Sequence, residues 1–218
     1  MILGAVIVAF GVAALLYAEA TDRPGLRWTA KPLASAGFLL AALDAPAFRL
    51  PTGVGWLLFG ALVLSAIGDV LLVPKSKAAF IAGIAAFALA HIAFSAWFLT
   101  SGLNPVVLAV AVAAMLVVGH LVWTWLDPHL TGAMRAAVRV YVLLVSLMTA
   151  FAVAFGAHAI IAGSLRAALP ALGGVLFCVS DVAVARHRFV APAFINRAWG
   201  LPVYYTAQLL LASALLAT

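Results

Sequence analysis

Runs of about twenty residues with almost no charge recur from one end of this 218-residue sequence to the other, and few folds can accommodate them. The hydrocarbon core of a bilayer is crossed by roughly 20 apolar residues in α-helical form. Punctuation by Pro, Gly and charge predicts eight such spans, at 2–18, 31–43, 54–73, 78–99, 105–124, 136–157, 167–186 and 198–217. The runs are continuous rather than alternating every second residue, which argues against a β-barrel. Only 8% of the residues are charged and 67% are hydrophobic. A water-soluble domain carries roughly a quarter charged residues, so lipid is the solvent this surface faces. The expected fold is all-α: a polytopic membrane bundle of about eight transmembrane helices, forming a single integral membrane domain over 1–218. The connections are short, and none reads as a linker or a soluble domain.

The formal charge of +6 does not point to nucleic acid, because the basic residues stand singly at helix ends, where they anchor to headgroups and set topology. The odd-numbered connections carry Arg23, Arg27, Lys75, Lys77, Arg135, Arg186, Arg188 and Arg197, and the even-numbered ones only Arg49 and Arg166. The positive-inside rule then puts the odd connections in the cytoplasm and both termini outside, in the cell (inner or plasma) membrane. Ala18-Glu19-Ala20 superficially resembles a signal-peptidase site, but no basic segment precedes it, so the first run reads as a retained helix. A single cysteine, Cys178, excludes an intrachain disulfide and a cysteine-based metal cluster.

Two short segments resemble one another. Ser65-Ala66-Ile67-Gly68-Asp69-Val70 closes the third span and Phe177-Cys178-Val179-Ser180-Asp181-Val182 closes the seventh, each followed by a basic pair, Lys75/Lys77 or Arg186/Arg188. Spans four crossings apart point the same way, which is the pattern expected of two parallel four-helix repeats. Asp69 and Asp181 are the most informative residues in the chain. An aspartate at membrane depth costs about 2.5–3.5 kcal/mol, so each should face protein or a wet cavity. At 1.5 Å per residue both lie roughly 6–8 Å inside the basic end of their helices, in the same leaflet, which predicts a shared site. The bland alternative is that each pairs structurally with a neighbouring Arg or Lys.

Other polar residues gather in the same half of the membrane. Lys31 opens the second span, followed by Pro32, which the first helical turn tolerates. Asn196 and Arg197 stand at the start of the last span, with Tyr204, Tyr205 and Gln208 one to three turns deeper. Tyr204 and Gln208 are four apart and share a helix face. His91 lies mid-span between Phe87 and Phe94, as a proton carrier or a structural donor. No histidine pair has the i, i+4 spacing of a helical metal site, and there is no phosphate-binding loop, dinucleotide fingerprint or nucleophile elbow. Neither a metal nor a cofactor is expected.

Taken in order, Lys31-Pro32-Leu33, Gly68-Asp69, Phe80-x-x-Gly83-x-x-x-Phe87-x-x-x-His91, Ser180-Asp181 with Arg188-Phe189, and Tyr204-Tyr205-x-Ala207-Gln208 resemble the YhhN-like lysoplasmalogenase family of polytopic membrane proteins. Each motif is short; their order and spacing from the second span to the eighth carry the resemblance. Phe94 stands where many members have Tyr. The resemblance implies hydrolysis of the vinyl ether bond of lysoplasmalogens, lysophospholipids drawn from the surrounding membrane, to a fatty aldehyde and glycerophospho-ethanolamine or -choline. A vinyl ether is opened by protonating its β-carbon, capturing the oxocarbenium ion with water and collapsing the hemiacetal. That chemistry needs an acid, an anion beside the cation and a base for water, and two carboxylates in unlike environments can supply them. On this reading Asp69 and Asp181 are the acid/base pair, in an order left open. Lys31 tunes one of them or binds phosphate, and His91 is a substrate-site residue. Tyr204, Tyr205 and Gln208 orient water and the glycerol hydroxyl. Asn196 and Arg186, with Arg188 and Arg197, mark the headgroup end.

Two other classes compete. Intramembrane acids, a mid-span histidine and a repeat are also what a proton-coupled transporter would show, although here the acids lie near one face rather than at the midplane. A scaffold whose polar residues only join helices predicts losses of stability without losses of chemistry.

Overall fold

In lipid every backbone N–H and C=O must be satisfied within the chain, and continuous apolar runs meet that requirement by becoming helices. The computed structural model describes residues 1–44 and 53–216; Arg49, counted above for topology, lies outside them. Eight α-helices follow in order: α1 (Ile2–Ala20), α2 (Pro24–Leu43), α3 (Gly53–Leu71), α4 (Lys77–Thr100), α5 (Pro105–Leu126), α6 (Gly132–Ile161), α7 (Leu169–Ala185) and α8 (Phe194–Ala212). The protein is an all-helical polytopic bundle.

Local chemistry sets the boundaries. Ser76 and Asn104 cap α4 and α5, their side-chain oxygens accepting from Ala79 N at 3.1 Å and Val107 N at 3.0 Å. The second helix differs from the sequence expectation: it begins at Pro24 rather than at residue 31, and Pro32 lies inside it. Arg27, expected in the connection, and Lys31, expected at the start of the span, turn toward carboxylates of the protein, so the helix takes them in. The eighth helix likewise starts at Phe194 and takes in Asn196 and Arg197. Past Ala185, α7 widens into one π-helical turn, Arg186–Val190, closed by Ala191 N donating to Arg186 O at 2.8 Å.

Successive helices pair as antiparallel hairpins, α1 with α2, α3 with α4, α5 with α6 and α7 with α8. Further contacts of α2 with α3, α4 with α6, α6 with α7, and α8 with α1 and α2 close seven of them into a ring. The neighbours of the first four helices recur among the second four, with one difference. α1 packs on α8, whereas α5 rests mainly on α6 and buries only Ala111 and Leu126. Small residues bring the hairpins together: a Cβ on Gly11 would stand 2.8 Å from Ala34, and one on Gly200 would stand 2.5 Å from the Ala183 Cβ.

Among the described residues, six helices are long and apolar enough to cross a membrane; α2 and α8 are long enough but too polar. Their polarity comes from Arg27, Lys31, Asn196, Arg197, Tyr204, Tyr205 and Gln208, most of which turn inward.

Candidate active site

A cavity of about 450 Å³ opens at the basic end of the bundle, and both aspartates line it. Asp69 stands two residues from the end of α3 and is 2% exposed. Two residues one turn apart on α2 reach it: Lys31 Nζ at 3.3 Å from Oδ1, and Ser35 Oγ, which donates to Oδ2 at 2.7 Å. The spacing of four puts both on one helix face, so α2 delivers a cation and a donor together. Tyr204 of α8 flanks the same carboxylate, its hydroxyl 3.5 Å from Ser65 O. Tyr205 also reaches this cluster, its hydroxyl donating to the Lys31 carbonyl at 3.4 Å and lying beside the Asp69 and Ser35 side chains.

Asp181 has different partners. The Tyr141 hydroxyl, from α6, donates to its Oδ2 at 3.1 Å, and His91 Nε2, from α4, lies 3.2 Å from the same oxygen. The tyrosine oxygen and His91 Nε2 are 3.0 Å apart, which closes a triangle of three polar groups. Since Tyr141 spends its proton on the carboxylate, the tautomer that fits carries hydrogen on Nε2. The buried Nδ1 then holds a lone pair, and it has no partner among the described residues.

Aromatic rings join the two carboxylate centres. Phe177 packs on His91 with centroids 4.5 Å apart, and on Tyr204 at 5.3 Å. Phe87 meets Phe177 and Tyr204 edge to face at 6.0 and 5.9 Å. Gly68, next to Asp69, makes room for that arrangement, since a Cβ there would stand 2.7 Å from the Phe87 ring. The cavity therefore has a carboxylate with an ammonium partner and a carboxylate with a phenol and imidazole, separated by an apolar wall.

Toward the mouth the lining becomes cationic. Glu19 of α1, with a side chain 6% exposed, accepts from Arg197 at 2.6 Å and lies 3.3 Å from Arg27 Nε. Arg197 Nε also donates to His187 Nε2 at 3.1 Å, and Arg188 lies over the Phe80 ring at 4.1 Å. Lys75 completes the rim. The π-helical turn carries His187 and Arg188 into this wall. Asn196 also lines the cavity, but its side chain is occupied: its oxygen accepts from Arg186, and its nitrogen donates to Ala191 O at 2.7 Å. Arg186 itself does not line the cavity and reaches it only through Asn196.

Of the residues singled out by sequence, Asp69, Asp181, Lys31, Tyr204 and Asn196 line one cavity, and His91 backs it through Asp181. Gln208 is fully buried one turn deeper, outside the cavity wall, and neither amide atom has a partner among the described residues. Sequence reasoning passed over Ser35, Tyr141 and Glu19. Tyr141 lies five residues into the predicted span 136–157, roughly 7 Å from its basic end, the depth of the two acids, and that coincidence was available as a signal.

The sequence profile of the YhhN family matches residues 26–215. The chain is 34% identical over 174 residues to the lysoplasmalogenase TMEM86A of Bos taurus, covering 76% of this chain and 70% of that protein. The Homo sapiens protein of the same name is 33% identical with the same coverage. A lysoplasmalogenase of Mycobacterium tuberculosis is 34% identical over 186 residues, 79% of this chain and 63% of that one. No solved structure matches the chain.

Proposed function

Because this chain belongs to the YhhN family, we propose that it is a membrane-embedded hydrolase that cleaves the vinyl ether bond of lysoplasmalogens, releasing a fatty aldehyde and glycerophospho-ethanolamine or -choline. The observation that carries this reading is the pairing of two carboxylates, in unlike company, on one cavity between a cationic mouth and an apolar interior.

The reaction assigns the two centres different work. Asp181, whose Oδ2 takes the Tyr141 and His91 donors, is the acid: carrying its proton on Oδ1, it gives that proton to the β-carbon of the vinyl ether while the double bond moves toward oxygen. Asp69, held as an ion pair by Lys31 and Ser35, supplies negative charge near the oxocarbenium ion. The Asp181 carboxylate left by the first step then takes a proton from water as the water oxygen bonds to the cationic carbon, giving a hemiacetal. Transfer of that proton to the glycerol oxygen breaks the remaining C–O bond as the hemiacetal hydroxyl becomes the carbonyl and returns its proton to Asp181. One water is consumed, and one aldehyde and one alcohol leave. Acid and base are the same group in successive steps, as in retaining glycosidases. Tyr204 borders both the Asp69 carboxylate and the cavity, where it orients water. The mouth cations Arg27, Lys75, Arg188 and Arg197 face the substrate phosphate, with this end of the bundle toward the cytoplasm and the protein in the cell membrane.

The test is aldehyde release from lysoplasmenyl-ethanolamine and -choline by purified protein in detergent. Wild type releases aldehyde, and Asp69→Asn and Asp181→Asn, folded as judged by size exclusion and thermal unfolding, do not. Near wild-type hydrolysis by both variants sinks the carboxylate assignment. Silence of the wild type, with substrate-dependent proton flux in liposomes, replaces the enzyme with a carrier.

A further inference from the structure

The cavity does not end at the carboxylates. Beyond them it continues as a slot lined by Met115, Val118 and Val122 of α5 and by Val142, Val145 and Ser146 of α6. The slot exists because α5 rests mainly on α6 and leaves the ring of seven helices. At the basic end α5 is pinned across α7, where Leu126, Leu130 and Val138 pack with Ala185, Phe189 and Val190. Farther in, α5 touches the bundle closely at Gly119, where a Cβ would stand 2.7 Å from Ser146 Oγ. Val118 lines the cavity and is still 43% exposed, so the slot is open along its flank.

Polarity changes in one direction along this path. Arg27, Arg197 and Lys75 stand at the mouth, Asp69 and Asp181 in the middle, and aliphatic side chains at the inner end. That order is the order of a single-chain phospholipid: phosphate, reactive glycerol ether, hydrocarbon. The geometry points to the α5–α6 slot as the binding arm for the one hydrocarbon chain of the substrate, with Met115 at its inner end limiting chain length. The assignment rests on the lipid-hydrolase reading above. Gly119 fixes the register of the two walls, and the helix rise places Met115 about 13 Å beyond the level of Tyr141.

Two measurements test this. The first uses the wild-type protein in detergent and a 1-alkyl lysophosphatidylethanolamine with a diazirine at the chain end, whose saturated ether the reaction cannot open. Photolysis should place adducts within residues 115–122 and 142–146, and unlabelled lysolipid should suppress them. Suppressible adducts on α1, α2 or α8 instead, or adducts only on the outward face of α5 that no lysolipid displaces, overturn the assignment whether or not the protein hydrolyses anything. The second compares kcat/KM for long- and short-chain alkenyl substrates. Met115→Trp should shift the ratio toward the short chain by roughly tenfold or more, the range in which pocket size discriminates by chain methylenes. Leu116→Trp, on the neighbouring outward face at 51% exposure, should not shift it. Equal shifts in both variants, or equal losses for both chain lengths in Met115→Trp, reject Met115 as the limit. A wild type that labels as expected but releases no aldehyde defeats the hydrolase reading and leaves the chain site standing.

Discussion

Lys31 Nζ lies 3.3 Å from Asp69 Oδ1, and both side chains are withdrawn from the surface, at 13% and 3% exposure. A buried pair of this kind is costly to break from one side, by about 3–5 kcal/mol, because the remaining charge is left uncompensated. Lys31→Met should therefore lower the thermal unfolding midpoint in detergent and abolish aldehyde release. The double variant Lys31→Met/Asp69→Asn should recover most of the lost stability and none of the activity. If the double variant is no more stable than Lys31→Met alone, the pair is not the source of the loss.

Tyr141 acts through a single hydroxyl that touches both His91 and Asp181. Tyr141→Phe keeps the ring and its T-shaped contact with His91 but removes the donor to the carboxylate. A hydrogen bond to a charged group contributes about 1.5–3 kcal/mol. If that is felt in the proton-transfer step, kcat falls roughly 10- to 100-fold. KM should change little, since the proposed pose puts the substrate chain and phosphate on other residues. A rise in KM at constant kcat would make Tyr141 a binding residue.

Every hydrolysis of a vinyl ether to an aldehyde adds one solvent hydrogen at carbon, but a bound acid adds it to one face. Aldehyde formed in D2O and reduced at once to the alcohol should carry one deuterium on the carbon next to the former carbonyl in a single configuration, read by NMR of a chiral ester. A racemic label, as a free enol ketonising in solution gives, would remove Asp181 from the role of carbon acid.

Much of this site could be read from the sequence, and the parts that could not have physical reasons. Helix parity put Asp69 and Asp181 at one depth, and the two line one cavity. The beginning of α2 was misplaced because charge normally ends a membrane span. Arg27 and Lys31 do not end it, since Glu19 and Asp69 meet them from other helices, and such pairing is invisible along one chain. Glu19 was obscured by its alanine neighbours, which resemble a processing site, yet it joins α1 to α2 and α8. Spacing of four predicts Gln208 on the Tyr204 side of α8. It could not show that the cavity stops a turn short of the amide.

The contact between α1 and α2 links packing to chemistry. Gly11 lies directly against Ala34, whose neighbours along α2 are the two Asp69 partners, Ser35 next in sequence and Lys31 three residues earlier. A Cβ at position 11 would meet the Ala34 backbone at 2.8 Å, and backbone cannot swing aside as a side chain can. Gly11→Val must therefore push α2 away from α1 or cost the bundle about 1–3 kcal/mol in strain. Either response moves Lys31 and Ser35 relative to Asp69, which sits on α3 and does not follow. Activity should fall further than the loss of stability accounts for, when both are measured below the unfolding transition. Phe10→Val, one residue away on the exposed face of α1, changes no such contact and should leave both nearly unchanged. If Gly11→Val loses stability but keeps full activity, the site tolerates displacement of α2, and the Lys31–Asp69 distance does not limit the reaction.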